Sequence, residues 1–156
     1  MTAIDPQTLA ERVVVKMMGN DAFSQWLGIE VTDVAPGCAT CSMDVRADMV
    51  NGFGTSHGGV AYSLADSAFA FATNSCGRLS VAVDTTMSYP AAVRPGDRIT
   101  AVAVQETTSK RLAFCTVTVR NQHGAVVGHF RGTVYRTPVD HFPEFGNTLG
   151  LPSTPV

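Results

Sequence analysis

The stretch from Gly58 to Gly77 constrains this chain most, because between those glycines it carries a single formal charge, Asp66. Ala61, Ala65, Ala68 and Ala72 recur at the spacing of one helix face, and Leu64, Ala68 and Phe71 do the same. A helix so apolar is buried on most sides and needs other elements wrapped round it. Gly77 supplies its stop. The glycine-rich turn Asn51–Gly59, ending in His57-Gly58-Gly59, leads into it.

An ionised carboxylate in apolar surroundings is costly unless it is paired or hydrogen-bonded. Tyr62 and Ala70 lie four residues either side of Asp66, and Phe69 lies three on. That is not a solvated charged face, although a lone helical Asp is ordinarily a surface residue. The glycines at the helix start let bare backbone N–H groups approach a ligand closely and favour negative charge there. A carboxylate and an oxyanion site on one element are two of the parts that acyl transfer needs.

At 156 residues the chain is long enough for one domain with a real core. A net charge of −2 with no basic stripe argues against nucleic acid. Cys38 and Cys41 match C-x-x-C by spacing, but no second pair accompanies them, and strand positions three apart point to opposite faces. All four cysteines, with Cys76 and Cys115, are therefore expected to be reduced in a cytoplasmic protein, with no metal site. The first residues lack a basic start and an apolar run, and no stretch is apolar enough for a membrane span.

In chain order, Pro6–Asn20 reads as an amphipathic helix capped by Asp5, with Leu9, Val13, Val14 and Met17 inward. A short second helix over 20–27 is expected to face Phe23, Trp26 and Leu27 inward, as a flap over the core. Strands follow at Gly28–Val34 and Cys38–Arg46, joined at Pro36-Gly37. Beyond the long helix, four more are predicted at Ser80–Tyr89, Arg98–Glu106, Arg111–Arg120 and Ala125–Arg136. In the first of these, Val81, Val83, Thr85, Met87 and Tyr89 are expected to share a face. This order is α+β, most simply one curved antiparallel sheet round the central helix. Residues 1–27 form a helical segment, 28–137 the domain and 138–156 a surface tail, partly disordered. Open sheet edges predict at least a dimer.

Asn51-Gly-Phe-Gly-Thr-Ser-His57-Gly58-Gly59, followed by Leu64-Ala65-Asp66, resembles the signature of the phenylacetate-pathway (PaaI-type) acyl-CoA thioesterases of the hotdog-fold superfamily. Asn74-Ser75, Tyr89 before Arg94-Pro95-Gly96-Asp97, and Phe130-Arg131-Gly132 extend the likeness over residues 22–136. The resemblance implies a hotdog fold and a homotetramer of two hotdog dimers. Active sites would be shared between subunits and would hydrolyse an acyl-CoA, typically aryl or arylacetyl, with no metal and no cofactor beyond the coenzyme A of the substrate. Asp66 is then the catalytic carboxylate, as general base or as nucleophile. The Gly58 N–H polarises the thioester carbonyl, Asn51 lies near water or carbonyl, and His57 is expected to shape the turn and to contact the thioester region, completing the catalytic set. Where some relatives carry a serine after the helix, this chain has Ala82, with Ser80, Asp84 and Thr85 as possible substitutes.

The nucleotide phosphates of coenzyme A call for basic residues, with Arg94, Lys110, Arg111, Arg131 and Arg136 as candidates, about two of which are expected to touch it. Gly59 and Tyr62 are further binding candidates, and Tyr62, Phe53, Met49 and the N-terminal flap would line an acyl pocket. His123, His129 and His141 read as ordinary surface or strand residues. A G-x-S-x-G nucleophile elbow is absent. Three other readings compete: a non-catalytic acyl-CoA-binding hotdog module, a thioesterase for medium-chain acyl-CoA, and a hotdog dehydratase using His57 with Asp66.

Overall fold

The computed structural model describes residues 4–145. Helices α1 (Pro6–Asn20) and α2 (Ala22–Leu27) precede the hairpin β1 (Glu30–Ala35) and β2 (Cys38–Asp44). Helix α3 (Gly58–Asn74) follows, then β3 (Arg78–Ser88), β4 (Arg98–Thr108), β5 (Leu112–Arg120), β6 (Val126–Asp140) and a 3₁₀ turn at Pro143–Phe145. The six strands form one antiparallel sheet in the order β1-β2-β4-β5-β6-β3. Its inner face curves round α3. This is the expected α+β hotdog arrangement.

The core is the interface between α3 and that inner face. Leu64, Ala65, Ala68 and Ala72 of the helix are fully buried against Ala39, Cys41 and Met43 of β2 and Ala101 and Ala103 of β4. Small residues on both sides let helix and sheet approach closely. On the β6 side the fit depends on glycine: a Cβ on Gly132 would lie 2.6 Å from the Phe69 ring. Phe69 is fixed between Gly132 and Phe130, whose ring centroid is 5.4 Å away. The far end of α3 is tied by Asn74, whose side chain bonds both the N–H and the carbonyl of Ser80.

The two sheet edges differ. Strand β1 is short, and α1 lies across it, with the Gln7 side chain donating to the Val34 carbonyl at 2.8 Å. Strand β3 runs 11 residues, and most of it is exposed. A bulge between Ala82 and Asp84 corrects the simple alternation expected for it. Val81 pairs with Tyr135 on the outer face, whereas Thr85 and Met87 pair with Gly132 and Phe130 on the inner one. One extra residue flips every side chain beyond it.

Two further expectations are corrected. Phe23 and Trp26 do not face inward: they are 55% and 67% exposed, stacked on each other, while Ser24 and Leu27 are the buried residues of α2. The strand expected to end at Arg136 continues to Asp140, which pairs with Arg78, so the chain past Pro138 begins as sheet. His141 then bonds Asn74 through Nε2 at 2.7 Å, and Lys16 reaches the His141 carbonyl. The rest of the expected tail, 146–156, lies outside the described residues. Among the described residues no helix is long and apolar enough to cross a membrane.

Candidate active site

The turn before α3 organises itself. The Asn51 side-chain oxygen accepts from the Phe53 N–H at 2.9 Å and from the Thr55 N–H at 3.3 Å, and its amide donates to the Thr55 hydroxyl. An amide has two N–H donors, so one remains available. His57 is the N-cap of α3: its Nδ1 accepts from the Gly59 N–H at 2.9 Å. That bond fixes Nδ1 as an unprotonated acceptor and makes His57 a capping residue. The Val60 N–H is taken by the His57 carbonyl. The Gly58 N–H alone in this first turn meets no acceptor among the described residues. Tyr89 packs against Gly58 and donates to its carbonyl at 3.1 Å.

Asp66 sits two turns further on, half-buried in a stripe of α3 with Gly59, Tyr62, Ser63 and Ala70 that the rest of the fold leaves partly open. Its carboxylate has no hydrogen bond or ion pair among the described residues. Burial pushes its pKa up from the usual carboxylate range, and the like charge of Asp21 adds to that. Tyr62 turns toward the sheet, hydrogen-bonded to the Thr85 hydroxyl and edge-on to Phe130.

A cleft of ≈ 440 Å³ opens beside the helix start, lined by Phe23, Trp26, Met49, Val50, His57 and Ser63 among others. Met49, one of the candidates, is part of that lining. Tyr62 is not part of the lining, and Phe53, 94% exposed, projects from the turn instead. Arg46, overlooked in the sequence, closes one side, held over the Trp26 ring and bonded to Asp48.

The basic candidates do not converge in one chain. Arg94 precedes β4 and Lys110 follows it, so the length of an 11-residue strand, about 35 Å, separates them. Arg131 is exposed on the outer face of the sheet. Arg136 is buried, donates to the Ser109 carbonyl, and its pKa is lowered by burial and by neighbouring Arg78. Its packed position corrects the expectation of a free phosphate ligand. Among the described residues no group of His, Cys, Asp and Glu side chains is gathered as metal ligands would be.

A sequence model described as "Thioesterase superfamily" matches residues 53–127. The acyl-coenzyme A thioesterase PaaI of Escherichia coli is 38% identical over 77% of this chain and 86% of its own length. The chain belongs to the Thioesterase superfamily. The human acyl-coenzyme A thioesterase 13 is 33% identical over 74% of this chain and 85% of its own. The solved structure of the E. coli PaaI protein superposes with a TM-score of 0.83 at 34% identity, covering 85% of this chain and 96% of that one. This chain is a PaaI-type hotdog thioesterase, an enzyme that hydrolyses thioester bonds.

Proposed function

We propose that the chain hydrolyses an aryl- or arylacetyl-CoA, of the phenylacetyl-CoA or hydroxyphenylacetyl-CoA type, to the free acid and coenzyme A, at sites each built from two copies. One observation carries the reading. Among the described residues neither Asp66 nor the Gly58 N–H has a protein partner, yet they stand eight residues apart on one helix, about 12 Å. A single thioester carbonyl cannot meet both from one chain. It can meet Gly58 of one copy and Asp66 of another. The long, uncovered edge of β3 is the natural place for a second copy to pair, and two such dimers would make the tetramer that the family likeness suggests.

In such a site the Gly58 N–H donates to the carbonyl oxygen and stabilises the charge that develops there. Asp66 either takes a proton from the attacking water or attacks the carbonyl carbon itself, water then cleaving the anhydride. Either route expels the thiolate of coenzyme A. The spare N–H of Asn51 is placed on the same turn as Gly58. The cleft beside Phe23, Trp26 and Met49 suits a flat apolar acyl group. The E. coli and human relatives carry the name acyl-coenzyme A thioesterase, and the solved E. coli protein is described as coming from a phenylacetic acid degradation operon. For the nucleotide, Arg94, Lys110, Arg111 and Arg131 are the exposed candidates, supplied by one copy or the other.

Subunit complementation tests the shared site. Asp66→Asn and Gly58→Pro are each expected to be inactive. Random mixing of the two makes half the dimers mixed, and each mixed dimer holds one site with both native groups. About a quarter of the wild-type rate should return. No recovery in demonstrably mixed oligomers would overturn the two-copy site. A panel of aryl, arylacetyl and straight-chain acyl-CoAs, compared by kcat/KM, decides the acyl group; preference for medium straight chains would replace the aryl reading.

A further inference from the structure

Asp21 lies outside the signature turn and helix, yet its carboxylate is held against α3 by a chain of hydrogen bonds. Oδ1 accepts from the Ser24 N–H at 2.9 Å, and Oδ2 lies 2.6 Å from the Ser24 hydroxyl. The Ser24 Oγ lies 2.8 Å from the Ser67 Oγ. Both serines are buried, at 1% and 9% exposure. The direction of the chain follows from counting protons. A hydroxyl has one, and an ionised carboxylate can only accept. Ser24 therefore donates to Asp21, and Ser67 donates to Ser24. The relay runs from the Asp21 carboxylate through Ser24 to Ser67, the residue that follows Asp66 on α3.

We propose that Asp21 is a positioning residue for thioester hydrolysis: the Ser67–Ser24 relay fixes its carboxylate against α3 by way of Ser67, the neighbour of Asp66, where its charge acts on the reacting group. The inference rests on the role proposed above for Asp66. Capping alone does not require an acid here, since Asn or Ser caps a helix as well as Asp. A like charge nearby disfavours ionisation and strengthens the base. The raised pKa of Asp66, with burial first and Asp21 second among its causes, agrees with this.

Most other charged side chains on the elements round α3 are engaged elsewhere, and Asp33 of β1 is exposed. On α1, Lys16 is on the His141 carbonyl and the Phe142 ring, Arg12 lies over Phe145, and Glu11 holds Gln7. Glu30 of β1 and Asp44 of β2 pair with Arg98 of β4, and Arg78 of β3 with Asp140 of β6. Asp84 and Arg131 lie on the outer face of the sheet, and Arg136 points to Ser109.

The test is the pH dependence of kcat/KM for phenylacetyl-CoA, followed by loss of the thioester ultraviolet absorbance, which serves in acid as well as at neutral pH. Asp21→Asn removes the charge and keeps the cap. Its acidic limb should move to lower pH, so that below the wild-type midpoint it retains several-fold more of its own plateau rate. The plateau itself should fall a few-fold, with the melting temperature little changed. Asp21→Ser, another good cap, should move the limb the same way. An acidic limb that stays in place in both folded variants overturns the inference. Asp66→Asn is assayed beside them: if it keeps near wild-type turnover, the role of Asp66 fails and this inference fails with it. If Asp66→Asn is dead while the limb of Asp21→Asn is unmoved, only the role of Asp21 fails.

Discussion

The two ends of the candidate site are built in opposite ways. In the turn from Asn51 to Gly59 almost every polar group is satisfied locally. Asn51 closes the loop on Phe53 and Thr55, and His57 caps Gly59. Two turns along the same helix, Asp66 has no partner among the described residues, is half-buried, and has a pKa raised by burial and Asp21. The first end is tied by its own hydrogen bonds and, among the described residues, leaves the Gly58 N–H and one amide hydrogen of Asn51 free. The second end keeps an uncompensated charge. A preorganised donor stabilises a developing oxyanion without rearranging, and an under-solvated carboxylate is a stronger base. The chain thus concentrates order at one end and electrostatic cost at the other.

Asp66→Asn should break the contrast most completely. Turnover should fall about 10²–10⁴-fold, read by thiol release. Stability should move the other way. The folded pKa of Asp66 lies above its ordinary value, so its contribution to stability is fully present below the ordinary carboxylate range. That contribution is lost as pH rises through the raised folded value. Asp66→Asn should therefore melt higher than wild type at neutral pH, with the gain vanishing in acid. Lower stability at neutral pH would show that the carboxylate is satisfied in the assembled enzyme.

Gly58→Pro attacks the ordered end at one atom. Proline suits the first position of a helix, and the extended backbone of His57 suits a residue before proline. The N–H is removed, and the Cβ of the added ring meets Tyr89 at 3.4 Å. The expected result is about a 10²-fold loss in kcat with α3 intact by circular dichroism. Unchanged turnover would remove Gly58 from the mechanism.

Asn51→Ala should cost about 1–3 kcal/mol, because the N–H groups of Phe53 and Thr55 lose their acceptor. Urea unfolding measures this, and kcat/KM should fall with it. The smallest effect belongs to His57. His57→Ala should cost about 1 kcal/mol of helix capping, and His57→Asn should restore most of it. Recovery of rate along with stability in the Asn variant would make His57 a cap alone; recovery of stability without rate would give its ring a direct part in the reaction.

Local pattern made much of this legible. The spacing of Leu64, Ala68 and Ala72 places the buried face of α3, Asp5-Pro6 marks the start of α1, and the positions of the strands along the chain follow from alternation and turns. The likeness of the Asn51–Asp66 stretch to a known signature points to Gly58 and Asp66 before any coordinates. Other features were hidden for physical reasons. Phe23 and Trp26 look like inward anchors because they are large and apolar, but the Ser24–Ser67 bond sets the rotation of α2 and turns them outward to the cleft. The bulge in β3 carries no distinctive residue, so the face reversal after Ala82 could not be read. His141, taken for an ordinary residue, closes on Asn74 across 67 positions of sequence.

Sequence by itself determined the elements and the chemistry available to them: helix and strand periods are local, and so are caps and turns. It also showed that one charge interrupts an otherwise apolar helix. Only the tertiary structure decided which donors stay free, which cations are buried and which edge of the sheet is open. Those depend on contacts between residues far apart in the chain, where a single hydroxyl bond or one extra strand residue redirects a whole face.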